Sequence, residues 1–232
     1  GGTISFTMGA GNVTLYAVWD AIEYTIAYSA NGGSGSVPTG GSSYHVQDTV
    51  TVLFTPAPTR SGYDFLGWAT TSGATTATYA AGGTISFTMG AGNVTLYAVW
   101  DAIEYAVSYN ANDGSGSVPT GGSSYHVGDH ITVLFTPAPT RSGYDFLGWS
   151  TSSSATTSEF ASGGVAVFTM GTENVILYAV WALHNYSVFY SANNGTGPVP
   201  SDVTPYVMGS PITVLYDPLP TRTGYDFLGW ST

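Results

Sequence analysis

Apolar and polar residues alternate in short bursts along this chain, and the bursts return at a fixed spacing. Ile4, Phe6 and Met8 alternate with Thr3, Ser5 and Thr7, the period-two pattern of a strand with one buried face. Val13 to Trp19 (VTLYAVW) is apolar at both parities and predicts an interior strand. Tyr24, Ile26 and Tyr28 alternate with Thr25 and Ala27, and Val50, Val52 and Phe54 alternate with Thr49, Thr51 and Leu53. Tyr63 to Trp68 predicts a fifth strand, in which Gly67 marks a bulge or a close approach. The connecting NGGSGSVP, TPAPTRSG and MGAGN supply the Gly, Pro and Asn that turns require. No segment of ten or more residues carries a 3.6-residue apolar stripe, and a short helical turn over Tyr44 to Asp48 is the one helical expectation. The predicted class is mainly β, with little or no helix.

The pattern is a tandem repeat. Trp19, Trp100 and Trp181 stand 81 residues apart, as do Trp68, Trp149 and Trp230. Residues 1–70 and 82–151 differ at nine positions, and residues 163–232 keep the register with more divergence. One phase makes three 70-residue units separated by the small, polar spacers Thr71 to Ala81 and Ser152 to Ser162, which read as linkers or long loops. The other starts each unit near Tyr24, Tyr105 or Tyr186 and closes it at Trp100 or Trp181. Symmetry alone does not choose between them. In the second phase residues 1–22 are the closing part of a repeat, 23–103 and 104–184 are complete repeats, and 185–232 are an opening part. The chain and one further 11-residue spacer would then make three full periods.

Composition narrows the function. Fourteen acidic residues against three arginines and no lysine give a formal charge of −11. Such a chain repels phosphate backbones and anionic bilayers, which argues against nucleic-acid and membrane-surface partners. With 7% charged residues, solubility rests on Ser, Thr, Asn and Gly, a surface common among secreted and cell-wall proteins. The absence of cysteine removes disulfides, thiolate nucleophiles and zinc–sulfur sites. The absence of lysine removes Lys–Asn isopeptide crosslinks and Schiff bases. No apolar run is long enough to cross a bilayer, and no basic, apolar leader opens the sequence.

PTRSGYDFLGW (Pro58 to Trp68), a spacer, and then FTMGAGNVTLYAVW resembles the Listeria–Bacteroides repeat, the group that includes the internalin B-repeat. Pro58, Thr59, Gly62, Tyr63, Phe65, Gly67 and Trp68 match its aromatic corner. Met8 and Asn12 to Ala17 match its closing strand, with equivalents 81 residues on. The resemblance implies small β-grasp-like domains on surface-anchored or secreted proteins, acting as stalk, spacer or adhesive modules rather than enzymes. It also implies the phase that starts at Tyr24. The lack of lysine sets this chain apart from basic members that bind surfaces electrostatically.

The candidate chemistry is thin. His45 and His126 occupy matching places, but the third copy has Val207 there; His130 matches Thr49 and Pro211, and His184 matches Ile22 and Ile103. An active site repeated in register would keep its ligand types. His45 with Asp48, or His126 with Asp129, offers two metal ligands where functional sites need three or more. Asn112 to Gly116 has one carboxylate where a calcium loop needs several oxygens. GSGS lacks the lysine and the helix of a phosphate loop, and no serine sits in a nucleophile elbow. No enzymatic role, cofactor or metal is expected.

The aromatic residues are the remaining candidates. The motif positions are Gly62, Tyr63, Phe65 and Trp68, then Gly143, Tyr144, Phe146 and Trp149, then Gly224, Tyr225, Phe227 and Trp230. Trp19, Trp100 and Trp181 recur with the closing strands. A small disulfide-free domain needs large side chains to bury enough area, so these tryptophans read as core, with exposed glycan-stacking platforms as the alternative. Asn12, Asn93, Asn185 and Asn194 head N-x-S/T triplets and are glycosylation acceptors if the source organism glycosylates its surface proteins. The expected function is an extracellular structural array whose partners are neighbouring repeats. Alternatives are a head-to-tail fibre, in which residues 1–20 of one copy complete residues 185–232 of another, and a glycan-binding module.

Overall fold

The computed structural model describes residues 2–232, which fall into two compact units parting between Ile103 and Glu104. The first contains β1 (Ile26–Ser29), β2 (Thr49–Thr51), β3 (Tyr63–Ala69), β4 (Tyr79–Ala80), β5 (Ser86–Thr88) and β6 (Val94–Ala102). β6 lies between β1, to which it is parallel, and β3, to which it is antiparallel, and β4 flanks β3. β2 and β5 form a separate antiparallel pair. The second unit repeats this arrangement with β7 (Val107–Asn110), β8 (His130–Thr132), β9 (Tyr144–Ser150), β10 (Phe160–Ala161), β11 (Val167–Thr169) and β12 (Val175–Leu183). The chain is mainly β and tandemly repeated, with no helix among the described residues.

Each strand follows its pattern. β2 buries Val50 between exposed Thr49 and Thr51, as a half-buried strand should. β6, flanked by β1 and β3, is apolar at both parities because side chains on both its faces are covered: Leu96, Ala98 and Val99 are all buried. Trp68, Val52, Leu96 and Ala98 form one core cluster, packed by Tyr28, Phe54, Phe65, Phe87 and Trp100. Ile26, Val50 and Met89 form a second. The β3–β6 register shifts between Phe65 and Gly67, leaving Leu66 as the extra residue, so Gly67 marks a bulge as its place in the strand suggested. Its φ is 132°, and a Cβ there would meet the Tyr79 carbonyl oxygen at 2.1 Å.

Three expectations are corrected. The spacers are not free linkers: Tyr79–Ala80 and Phe160–Ala161 pair with β3 and β9, and Tyr79 stacks on Phe87 with centroids 5.4 Å apart. Their one large aromatic, Tyr79 or Phe160, supplies the burial that the small residues around it cannot. Tyr44 to Asp48 is a turn, closed by the Asp48 amide donating to the His45 carbonyl at 3.1 Å, not a helical one. Residues 4–8 and 13–19 form no strand, although their equivalents 86–88 and 94–102 do. A strand needs hydrogen-bonded neighbours; β6 has two, whereas none lies beside residues 13–19. Arg60 lies 3.8 Å over the Tyr63 ring, and no ion pair to Asp64 forms among the described residues. Residues 186–232 hold only isolated bridges, Tyr186 to Tyr206, Thr196 to Thr221 and Arg222 to Tyr225.

Candidate functional site

The recurring phrase RSGYDFLGW builds a corner. The Ser34 and Thr59 amides and carbonyls exchange bonds of 2.7 and 2.9 Å, fixing the chain just before it. Gly62, at φ 77°, takes the left-handed turn that a side chain would disfavour, and the Tyr63 amide donates to the Arg60 carbonyl at 3.1 Å. The guanidinium stacks on the Tyr63 ring, an attraction between the cation and the negative face of the ring. The same stack recurs as Arg141 on Tyr144 and Arg222 on Tyr225, each at 4.1 Å. All three arginines of the protein are thus engaged on neighbouring tyrosines.

β3 then carries the aromatics inward. Phe65 meets Trp68 edge to face at 5.0 Å and Trp100 at 5.6 Å, and Tyr28 meets Trp68 at 4.9 Å. Trp68 is fully buried, and its Nε1 donates to the Leu53 carbonyl at 2.9 Å. Tyr28 Oη accepts from the Leu53 amide at 2.9 Å. Burial pushes the Tyr28 phenol above its usual pKa, and the Leu53 amide partly offsets this. Tyr109 repeats this shift for the same reasons, and burial alone raises Tyr79. These phenols stay protonated at neutral pH and serve packing. Phe146, Trp149 and Tyr109 repeat the cluster, with Trp149 fully buried.

Trp100 closes the repeat. Its Nε1 donates to the Ala30 and Asn31 carbonyls, each at 3.1 Å. The ring lies against Gly33, where a Cβ would stand 2.4 Å from Cζ2. Trp181 does the same with Ala111, Asn112 and Gly114. Asn31 Nδ2 donates to the Ala98 and Ser72 carbonyls at 2.8 Å, joining β6 and the spacer to the end of β1. The sequence reading did not show these roles of Asn31 and Asn112 or of Gly33 and Gly114. Their recurrence every 81 residues was the available signal.

The third copy keeps the inner geometry. Tyr190 and Phe227 meet Trp230 at 4.9 and 5.0 Å, and Trp230 Nε1 donates to the Leu215 carbonyl at 2.9 Å. Gly224 takes the same left-handed φ, 79°. Trp230 is nevertheless only partly buried, Phe227 and Tyr225 are exposed, and Trp19 is 89% exposed. Gly143 lies beside Met208, and Ser142 Oγ donates to its sulfur at 3.5 Å. Asn12, Asn185 and Asn194 are exposed; Asn93 is exposed too, but its Oδ1 accepts from the Thr25 amide at 2.9 Å.

The titratable side chains serve turns and strand ends. Asp48 and Asp129 accept from the His45 and His126 amides at 2.6 and 2.8 Å. His184 Nδ1 lies 2.7 and 2.9 Å from the two Asp145 oxygens, tying the ends of β12 and β9. Asp202 is held below the usual carboxylate range by the Thr204 amide and the Tyr206 hydroxyl, and Asp202 in turn pushes Tyr206 up. Among the described residues no three His, Cys, Asp or Glu side chains converge on a point.

The model of the Listeria-Bacteroides repeat domain matches residues 24–99, 105–180 and 186–232. The chain belongs to the Listeria-Bacteroides repeat family. Two proteins of Evansella cellulosilytica resemble these repeats. One, named "Putative membrane protein", is 34% identical over 228 residues, covering 95% of this chain and 30% of the relative. The other, named "Putative Gly-rich membrane protein", is 33% identical over 235 residues, covering 97% and 24%. The repeats thus span less than a third of the curated relatives they match. No solved structure matches the chain.

Proposed function

We propose that the chain is a segment of an extracellular or cell-surface array, serving as stalk, spacer or adhesin segment without a catalytic role. The observation that carries this is the fate of the recurring phrase. In both complete repeats its tryptophan is fully buried and packed edge to face by a tyrosine and a phenylalanine, so the recurring residues serve the fold. Reuse of one core solution per unit lets length grow without new packing problems. Membership of the family and the names of the relatives support a surface location. No helix of the described residues is long and apolar enough to cross a membrane. A β-grasp-like description draws support from the parallel pairing of the first and last strands, although no helix crosses the sheet. Glycan binding would need exposed stacking faces, and the tryptophans of the complete repeats offer few.

A second reading rests on one sequence in two settings. Residues 1–24 and 82–105 are identical, yet Leu15 is 75% exposed whereas Leu96 is fully buried. Residues 186–232 in turn leave Leu228 97% exposed beside a cleft of about 640 Å³, lined by Ala192, Asn193, Gly195, Phe227 and Trp230. These match the residues against which Trp100 rests. Residues 2–20 of one copy would therefore seat against residues 186–232 of another by adding a strand.

Small-angle scattering tests both readings. Under the spacer reading, inserting one further 81-residue repeat lengthens the maximum dimension stepwise, and an unchanged dimension refutes it. Under the second, apparent mass rises with concentration and Trp19→Ala abolishes the rise; constant mass refutes it.

A further inference from the structure

The first and last strands of each complete repeat are bonded side by side in parallel. β1 pairs with β6 at Ile26–Val94, Ala27–Thr95, Tyr28–Leu96 and Ser29–Tyr97. β7 pairs with β12 over Val107–Val175 to Asn110–Tyr178. Side chains extend the seam at both ends. At its start, Asn93 Oδ1 accepts from the Thr25 amide while the Val94 amide donates to the Thr25 carbonyl, both at 2.9 Å. At its finish, Asn31 Nδ2 reaches the Ala98 carbonyl at 2.8 Å, and Trp100 Nε1 reaches the Ala30 and Asn31 carbonyls at 3.1 Å. The second repeat reproduces every part: Asn174 with the Ala106 amide at 2.8 Å, Asn112 with the Ala179 carbonyl, and Trp181 with Ala111 and Asn112.

In a tandem array, tension enters a repeat before its first strand and leaves after its last. With those strands parallel and adjacent, the pull draws β1 and β6 past each other lengthwise. Every bond of the seam is then loaded together. Had they been antiparallel neighbours, the same pull would open them from one end, one bond at a time. Forced unfolding is governed by the barrier to the first rupture rather than by equilibrium stability. A seam loaded in shear raises that barrier, because its bonds must fail nearly at once.

We propose that each complete repeat is a tension-bearing clamp, with the β1–β6 and β7–β12 seams as its resisting element and Asn93, Asn31 and Trp100 (Asn174, Asn112 and Trp181 in the second repeat) as latches at either end. This deepens the spacer reading and rests on it: a spacer holding a surface apart under load needs repeats that do not pay out their chain.

The absence of cysteine makes any introduced thiol pair a unique handle. Ala21 and Glu104 are exposed and lie outside the two ends of the first repeat. Gly92 precedes β6, and a Cβ there meets nothing within 4 Å. In the full chain, the Ala21→Cys, Glu104→Cys pair pulls the seam in shear, whereas the Ala21→Cys, Gly92→Cys pair peels it from one end. Single-molecule force measurements are expected to give a rupture force roughly twofold or more higher in shear than in peeling. Asn93→Ala is expected to lower the shear force and leave the peeling force less changed. Equal forces in the two geometries, or a higher force in peeling, overturn the clamp. Such a result leaves the spacer reading standing, because that is judged by scattering length and not by force.

Discussion

Replacing Trp68 with alanine is expected to make the first repeat melt far below the second, which keeps its own stability. Trp68 is fully buried and touches Tyr28 and Phe65 edge to face. Truncation leaves a cavity at the meeting point of β3, β6 and the β2 side of the core, and it strips the Leu53 carbonyl of its indole partner. Large-to-small changes of this kind cost about 3–5 kcal/mol. That approaches the whole stability of a small domain, roughly 5–15 kcal/mol, in a repeat with no disulfide to hold it. Circular dichroism during heating should show the melt split, with one repeat lost early and the Trp149 repeat unchanged. Trp19→Ala, at the exposed member of the series, should shift nothing. A Trp68→Ala melt that coincides with the parent's would contradict the assignment of the phrase to the core.

The second large effect is expected at Gly67. Alanine there must take φ 132° and place its Cβ 2.1 Å from the Tyr79 carbonyl oxygen. The backbone strain alone is on the order of 1–3 kcal/mol. The clash is with main chain, so β4 must leave β3, losing the Gly67–Ala80 and Trp68–Tyr79 pairs and the Tyr79 stack on Phe87. A total near 3–4 kcal/mol is expected, within the range of severe single substitutions. Gly83→Ala is the matched control, since a Cβ there meets nothing within 4 Å and the cost should stay within about 0.5 kcal/mol. Equal midpoints for the two variants in urea titrations would refute the close approach.

Much of this fold was legible in the pattern of residues. Val50 between Thr49 and Thr51 announced a half-buried strand, and VTLYAVW announced an interior one. Gly67 within YDFLGW announced the bulge. What the pattern could not supply was pairing. Nothing in VTLYAVW says that its neighbours are β1 and β3, nor that β1 runs parallel to it. That relation is non-local, separating Ile26 from Val94, and it fixes how each repeat meets tension. The spacers misled because their small polar composition masks one aromatic each, Tyr79 and Phe160. The polar latches were overlooked for a related reason: Asn31 next to Gly32 reads as turn chemistry, and only the structure shows its amide reaching Ala98 and Ser72.

The candidate site was legible as residue types and not as a role. The phrase RSGYDFLGW is a corner and a core strand, its arginine resting on its tyrosine. The histidines, which vary from copy to copy, sit at turns and strand ends where hydrogen-bonding partners differ with each copy.

Amide hydrogen exchange on the dilute, monomeric chain tests most directly whether pairing, rather than local sequence, makes the repeat. VTLYAVW occurs at Val13 to Trp19 and, identically, at Val94 to Trp100. Exchange protection follows the stability of the hydrogen-bonded unit that must open. Strong protection is expected across Val94 to Trp100, and near-free exchange across Val13 to Trp19. Equal protection of the two copies would contradict the central claim.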